Sequence, residues 1–265
     1  MDTSASLAYP IHAAQPRSVK ISIVTTGGHC SRSLLECLES VQSQTHRHLE
    51  HIVIDSSRMG SLGGRQLAQY AERVTLVRGL RGESHFGAWN RGIAHASGEV
   101  LAFLNADDLL EGPEVLDRVA QAFEDPWLAA VYGNVKHVQQ DDPHLVVRHQ
   151  RPGPFSTAKL AWGWAPPTSA LFVRRHWYQR IGGFSRHLTA AADYDATLRL
   201  FAHRFFKSEY LDEPLVRQRI APWRPAHLGQ TLNRPVEELR ALRKARLGGL
   251  PAVVWKNLSK VGLYL

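Results

Sequence analysis

One unbroken apolar run, Val100–Leu104, ends abruptly in polar residues. A strand in the middle of a parallel sheet is covered on both faces, so its residues form a continuous apolar run rather than an alternating pattern. The run therefore predicts a central strand of a parallel sheet. Such sheets occur in α/β folds, where helices cover both faces.

Two adjacent acids, Asp107 and Asp108, follow this strand after Asn105 and Ala106. Ligands of open α/β sheets bind just beyond the carboxyl ends of the strands. Paired carboxylates at that place repel each other and lose hydration, and a divalent cation relieves both costs. Because carboxylates are hard oxygen ligands, the pair favours Mg²⁺ or Mn²⁺. The other interpretation is a solvated turn in which one Asp caps the next helix.

Strand and helix patterns alternate around this run, which predicts right-handed βαβ crossovers and a mostly parallel sheet. The other predicted strands are Val19–Val24, Glu50–Ile54, Val74–Val77, Ala129–Gly133, Ala170–Val173, Glu209–Leu211 and Leu215–Ile220. The predicted helices run from Ser31 or Ser33 to Gln42, from Gly60 to Ala71, over His85–His95, over Glu114–Glu124, over Arg174–Ile181, and from Ala190 to Phe205. The polar segment Asp141–Pro154 predicts a loop or an irregular hairpin.

The chain has 265 residues, of which 44% are hydrophobic, and a net charge of +8. The charge suits an anionic partner such as a nucleotide or an anionic membrane surface, and no nucleic-acid motif accompanies it. Cys30 and Cys37 form neither a disulfide framework nor a metal knuckle, so we expect free thiols in a reducing, cytoplasmic compartment. No run of about 18 apolar residues predicts a transmembrane helix. Residues Met1–Arg17 lack the pattern of a signal peptide.

The C-terminal part is basic. We expect a mobile flap over Ala221–Arg234 and a basic helical tail over Val236–Leu265. In that tail Val254, Trp255, Leu258 and Val261 share one face, with Lys256 and Lys260 beside them. This pattern fits a helix that lies on anionic lipid, and it fits equally a helix packed on its own domain or in a dimer.

Six short motifs occur in order between residues 19 and 231. They are Ile21–Thr25 with Ser33–Thr45, Glu50–Asp55, Ala88–Ile93 with Ala96–Glu99, Leu104–Asp108, Gly182–Phe184 with Ala192–Asp195 and Leu198–Arg199, and His227–Thr231. Together they resemble the family-2 glycosyltransferases, and Leu104–Asp108 resembles the family's DXD signature. The chain departs from the family pattern at Asn105, which replaces the first Asp, after Asp55, where Ser56–Met59 lacks a further acid, and at Gly87.

The resemblance implies the GT-A fold: α/β, with a Rossmann-like, mostly parallel central sheet flanked by helices, and a C-terminal helical tail. We expect a flexible arm over residues 1–18, a catalytic domain over residues 19–220, and the flap and tail over residues 221–265. Within the domain, residues 19–110 would bind the nucleotide sugar and residues 111–220 the acceptor.

The implied reaction is inverting transfer of a sugar from a nucleotide-diphosphate sugar, with a UDP-sugar as first choice, to a hydroxyl of a glycan or lipid-linked acceptor. The implied setting is cell-envelope polysaccharide synthesis in the cytoplasm, with peripheral attachment at the inner face of the membrane. Asp107, supported by Asp108 and by His227, would hold Mn²⁺ or Mg²⁺. A lone surface histidine is the plainer interpretation of His227.

Asp193, at the start of a predicted helix, would be the general base, with Asp195 as its rival. A simple helix cap is the alternative for Asp193. Thr25, Asp55, Asn90 and Asn105 would line the donor site, although Asn90 equally fits a role in ordering the loop. Trp162, Trp164 and Asp195 would bind the acceptor, the two tryptophans by stacking on sugars. Packing is the alternative for both rings.

Two other functions remain open. A sugar-nucleotide nucleotidyltransferase also needs Mg²⁺, but it carries a Gly-rich loop with Lys or Arg after its first strand. Thr25–His29 has two glycines and no basic side chain before Arg32. A non-catalytic carbohydrate-binding relative is the third possibility.

Overall fold

The computed structural model of the protein describes residues 18–27, 31–56, 69–70, 72–220, 228–247, 249 and 252–254. The strands are β1 (Ile21–Gly27), β2 (Leu49–Asp55), β3 (Thr75–Arg78), β4 (Val100–Asn105), β5 (Asp108–Leu110), β6 (Ala130–Gln139), β7 (Val146–Gln150), β8 (Leu171–Arg174) and β9 (Ser208–Ile220). The helices are α1 (Arg32–Gln42), α2 (His85–His95), α3 (Val115–Ala122), α4 (Thr157–Ala161), α5 (Arg175–Ile181), α6 (Ala192–Phe201) and α7 (Leu228–Lys244).

The described strands form one sheet in the order β3-β2-β1-β4-β8-β6-β9-β5, and β7 pairs with β6. The first four strands of this order are parallel neighbours. Strand β8 is antiparallel to both β4 and β6, whereas β6 and β9 are parallel. The predicted α/β sheet with flanking helices is confirmed. The parallel strands β1 to β4 lie in the part of the chain where strand and helix patterns alternate in the sequence.

Strand β4 lies in the middle of this sheet and is buried on both faces. Val100, Ala102 and Leu104 pack in the layer that contains α1 and α3. Leu101 and Phe103 pack in the opposite layer, which contains α2 and α6. Side chains of a strand alternate between faces, so an apolar residue is needed at every position. The apolar run is therefore unbroken because β4 is covered on both faces, as predicted.

Strand β9 is one strand of 13 residues, so the prediction of two strands was wrong. The register between β6 and β9 shifts around Asn134, which is opposite Pro214. A bulge accommodates a proline that cannot donate to the ladder, and the strand continues beyond it. Gly133 lacks the side chain that would collide with Leu215 at 2.5 Å.

The C-terminal region also differs from the prediction. Helix α7 begins at Leu228, so the latter part of the predicted flap is helical, while residues 221–227 lie outside the described residues. Ala241 and Leu242 are buried in the same core as α2 and α6. The proposed lipid-facing surface after Val254, most of the predicted helix from Gly60, Cys30 and the N-terminal arm up to residue 17 also lie outside the described residues. Within the described part of the chain, no helix has the length and apolar character needed to cross a membrane.

Candidate active site

The loop after β4 separates its two acids. Asp107 is exposed, whereas Asp108 is 1% exposed. The Asp108 carboxylate accepts hydrogen bonds from the Asn105 backbone N–H (3.2 Å) and from Asn105 Nδ2 (2.9 Å). Because the charged form loses its hydration, burial raises the pKa of Asp108 to about 7. Asp108 and Asn105 therefore order the loop together, and Asp107 is the acid presented to solvent.

A buried arginine fixes the backbone of Asp107. Arg219 Nη1 donates to the Asp107 carbonyl oxygen at 3.3 Å, and the same guanidinium pairs with Glu36 on α1. The described residues contain no cluster of three or more His, Cys, Asp or Glu side chains that could hold a metal. His227 lies outside the described residues. Mg²⁺ and similar ions are commonly held by one or two carboxylates together with substrate phosphates. A single exposed Asp107 carboxylate fits that donor set.

Asp193 lies in the first turn of α6, where a guanidinium fixes one of its oxygens. Arg234 Nη2 donates to Asp193 Oδ2 at 2.9 Å. Arg234 is itself held by Glu238 (3.1 Å) and by the Ala190 carbonyl oxygen (2.8 Å). The other oxygen, Asp193 Oδ1, is buried and has no hydrogen-bond partner in the part of the chain that is described. One oxygen is thus anchored, and the second is left to accept a hydrogen bond.

Asp195, the predicted rival, is used internally. It is 4% exposed and forms a 2.7 Å ion pair with Arg199. Arg199 also donates to the carbonyl oxygens of Ile181 and Gly183. The pair therefore orders the Gly-Gly turn, and Asp195 does not line the pocket in which Asp193 lies. The sequence carried a signal for this role, since Asp and Arg four residues apart on a helix form an ion pair.

Asn90 orders the same turn from α2. Its side chain accepts from the Phe184 backbone N–H (2.8 Å) and donates to the Phe184 carbonyl oxygen (2.9 Å). Gly183 has a positive φ of 70°, and a Cβ there would lie 2.3 Å from Asn90 Oδ1. These contacts support the loop-ordering interpretation of Asn90 over contact with a donor sugar.

Thr25 is fully buried, and its hydroxyl is within 2.9 Å of His51 Nε2. The structure therefore places this side chain in the core beneath the cleft. Asp55 lies at the carboxyl end of β2, beside Gly27 of β1, and is 4% exposed.

His85 lies near the end of β1, next to β4, and near enough to Asp193 to be affected by its charge. Thr26 is the neighbour of Asn105 across the sheet, and its hydroxyl lies 3.3 Å from His85 Nδ1. Burial lowers the pKa of His85, and the nearby Asp193 carboxylate acts in the opposite direction. The first residue of α2 thus lies between the two candidate acids. The sequence analysis missed His85, although it directly follows the Ser84 cap of a predicted helix.

A pocket of about 440 Å³ lies beside Asp193. Trp162 lines it and is 60% exposed, so one ring face is available. Trp164 also lines it, but this ring packs against Phe155 and Phe201, and its Nε1 donates to the Pro152 carbonyl oxygen at 2.8 Å. For Trp164 the packing interpretation is favoured, whereas Trp162 is free to stack on a ligand.

The family model described as "Glycosyl transferase family 2" matches residues 22–187. The O-antigen biosynthesis protein RfbC of Myxococcus xanthus is 31% identical over 212 residues, which are 75% of this chain and 16% of that protein. A glycosyltransferase of Nostoc sp. is 28% identical over 62% of this chain and 53% of its own length. A glycosyltransferase of Mycobacterium tuberculosis (strain CDC 1551 / Oshkosh) is 32% identical over 68% of each chain. The chain thus spans between a sixth and about half of the first two relatives.

Solved structures share the fold. S. aureus TarS 1-349 superposes with a TM-score of 0.66 at 14% identity, over 92% of this chain and 73% of that one. Its complex with UDP-GlcNAc gives 0.65 at 15% identity, over 85% and 65%. The mannosyltransferase PcManGT from Pyrobaculum calidifontis, in complex with GDP-Man and Mn²⁺, gives 0.63 at 18% identity, over 93% and 71%. The predicted GT-A architecture is confirmed by these likenesses.

Proposed function

The chain belongs to glycosyltransferase family 2, and from this premise we propose that it transfers a sugar, with inversion, from a nucleotide-diphosphate sugar to an acceptor hydroxyl. The observation that carries the proposal is the state of Asp193. Its Oδ2 is anchored by Arg234, its Oδ1 lacks a described partner, and it borders a pocket with an exposed Trp162.

Asp193 is the general base of this proposal. The acceptor hydroxyl donates its proton to Asp193 Oδ1 while its oxygen forms the new bond to the anomeric carbon. The bond from that carbon to the β-phosphate oxygen breaks on the opposite side, which inverts the configuration. Arg234 holds the carboxylate in a fixed orientation before the transfer through its bond to Asp193 Oδ2.

Asp107 and Asp55 belong to the donor side, at the carboxyl ends of β4 and β2, where α/β sheets bind nucleotides. Asp107 would hold a Mn²⁺ or Mg²⁺ ion against the donor diphosphate. When bound, the ion stabilises the charge that develops on the leaving phosphate. Asp108 and Asn105 keep Asp107 in place. The Mn²⁺ and GDP-Man of the PcManGT complex, and the UDP-GlcNAc of the TarS complex, support these choices of ion and donor class.

The acceptor would be a glycan or a lipid-linked sugar of an envelope polysaccharide, as the name of the Myxococcus relative suggests. Trp162 would stack on the acceptor sugar. Attachment to the inner face of a membrane through the basic tail is part of the same proposal. A liposome-flotation assay in which loss of residues 248–265 leaves binding unchanged would remove that part.

The test measures release of nucleoside diphosphate from a panel of UDP-, GDP- and dTDP-sugars, with Mn²⁺ and with EDTA. Wild type and an Asp141→Asn control, which changes an exposed acid of the β6–β7 turn, should turn over one donor. Asp193→Asn should not. NMR of the first-formed product should show the inverted anomer.

Release of pyrophosphate from a nucleoside triphosphate and a sugar phosphate would instead indicate the nucleotidyltransferase. Sugar binding without turnover of any donor would indicate the non-catalytic relative. Either result overturns the proposal.

A further inference from the structure

Three cations line the pocket beside Asp193. They are Arg148 on β7, Arg151 just after it, and Lys159 on α4. We call these three residues the cationic wall. None of Asp55, Asn105, Asp107 and Asp108 lines this pocket, so the wall belongs to the acceptor side of Asp193.

The wall cations lack the close acidic partners that Arg234 has in the described part of the chain. None of the three forms an ion pair within 4.0 Å with a carboxylate of the described chain, whereas Arg234 in the same pocket has two such partners. Lys159 Nζ donates only to a carbonyl oxygen, that of Pro154, at 2.9 Å. Arg151 lies near enough to Asp212 to lower the pKa of that acid, but Asp212 is bonded to Asn134 and Tyr210.

Arg148 provides the sharpest observation. Its Nη1 is buried and has no hydrogen-bond partner within the described ranges. Leaving a buried guanidinium N–H unpaired costs free energy, which a ligand carrying an anionic oxygen would recover. The next residue on the same face of β7, Gln150, is bonded to His137 of β6 at 3.1 Å, which attaches this part of β7 to the sheet.

The segment that carries the wall is anchored to the core. Tyr132 donates to the Gly153 carbonyl oxygen at 3.1 Å, and Trp164 donates to that of Pro152 at 2.8 Å. The backbone next to Arg151 is therefore ordered before a ligand binds, which lowers the entropy cost of binding.

We propose that the acceptor carries a phosphate group, which the cationic wall binds while Asp193 receives the proton of the reacting hydroxyl. Phosphate oxygens accept several charge-assisted hydrogen bonds at once, and guanidinium groups bind them in pairs. The wall thus selects a sugar phosphate or glycosyl phosphodiester over a neutral glycan. This inference rests on the proposed function for the role of Asp193, but the binding of phosphate by the wall can be tested without turnover.

The binding test uses the full chain and two matched probes, octyl glucoside and octyl glucosyl phosphate, with quenching of tryptophan fluorescence as the readout. Inorganic phosphate and glucose 1-phosphate form further arms that separate the phosphate group from the alkyl chain. Wild type should bind octyl glucosyl phosphate at least about 10-fold more tightly than octyl glucoside, because each lost charged hydrogen bond costs about that factor.

Arg151→Gln and Lys159→Gln change exposed residues and should remove most of this preference, both singly and together. Arg148→Gln should act in the same direction. The control Arg204→Gln changes a cation of another pocket and should leave both affinities unchanged. Equal binding of the two octyl probes by wild type, or a preference that survives Arg151→Gln with Lys159→Gln, would overturn the inference.

Turnover distinguishes the two proposals. Transfer to a phosphorylated acceptor should fall about 10-fold in the wall variants, whereas the control Arg204→Gln should transfer at the wild-type rate. If no donor is consumed by wild type but the phosphate preference is present and sensitive to the wall, the proposed function fails and the binding site stands. If donor is consumed and no phosphate preference exists, only the further inference fails.

Discussion

The end of β4 and the start of α6 each carry two aspartates, and the protein uses the two pairs in a similar way. In each pair one acid turns inward and orders a loop: Asp108 bonds to Asn105, and Asp195 pairs with Arg199. The other acid, Asp107 or Asp193, borders the solvent or the pocket. In both places a structural acid therefore accompanies an acid for which we propose a chemical role.

The two inward acids differ in the charge of their partners. Asp195 meets a guanidinium, whereas Asp108 meets only neutral N–H groups from Asn105. Burial is the main cause of the raised pKa of Asp108, and the nearby Arg219 acts in the opposite direction. The two acids therefore order their loops by different means, Asp195 through an ion pair and Asp108 through bonds to neutral groups. Substitutions in the two pairs test the roles proposed for each acid.

The largest difference should separate Asp193 from Asp195 in catalysis. Asp193→Asn should lower kcat by about 10²- to 10⁴-fold, because a general base contributes that factor. The melting temperature should change little, since Arg234 keeps its bond to Glu238. The measurement is steady-state kinetics together with thermal unfolding. A larger loss of kcat in fully folded Asp195→Asn protein would reverse the assignment.

Asp195→Asn should instead lower the free energy of unfolding by about 3 kcal/mol, because removal of one partner of a buried ion pair leaves the other uncompensated. Urea unfolding of the variant, compared with Asp141→Asn, measures the effect. An unchanged unfolding midpoint would mean that Arg199 holds the Gly-Gly turn without its acid.

Asp107→Asn should raise the Mn²⁺ concentration needed for half-maximal turnover by roughly 10-fold, because it removes an anionic ligand from a site that also depends on substrate phosphate. Asp108→Asn should shift this requirement less. The measurement is a Mn²⁺ titration of donor hydrolysis at saturating donor. Equal shifts in the two variants would indicate that both acids bind the ion.

The smallest effect concerns the acidity of Asp108. Its folded-state pKa of about 7 lies above the ordinary value of 3.8, so the folded protein binds a proton that the unfolded chain has released. Stability should therefore fall as pH rises from about 4 to about 7. In metal-free protein, Asp108→Asn should remove this loss, so its melting temperature relative to wild type should rise over the same interval. A difference between the two melting temperatures that is independent of pH would contradict the assigned pKa.

Much of the parallel half could be predicted from local patterns. Helix α2 has the predicted bounds because Ser84 caps it and its apolar residues recur at helical spacing. The end of β4 was predicted because a continuous apolar run, Val100–Leu104, is followed directly by polar residues and two acids. Residues 111–220, the expected acceptor half, were harder to predict, because Pro214 interrupts the pattern of β9 where only the partner strand reveals a bulge.

The acids of the candidate site could be predicted from the sequence, but the different role of each acid could not. Asp193 and Asp195 lie about 200° apart around a helix, so they face different surroundings. Only the fold shows which face meets Arg234 and which meets Arg199. The cationic wall was not predicted, because a segment expected to be a loop or irregular hairpin, Asp141–Pro154, gives no alternation that would place Arg148 and Gln150 on one face.

Helix α7 has a consequence for how this enzyme family member can be shortened or fused. Glu237 accepts hydrogen bonds from the backbone N–H groups of Thr189, Ala190 and Ala191, which precede α6. Burial acts to raise the pKa of Glu237, but these bonds lower it further, so the net shift is downward. A protein that ended at residue 227 would retain every described strand of the sheet. Asp193, the proposed general base, would however lose the guanidinium that anchors it and the carboxylate that binds the backbone before its helix. Arg234 and Glu237 on α7 thus support the position of Asp193, which precedes them by some forty residues.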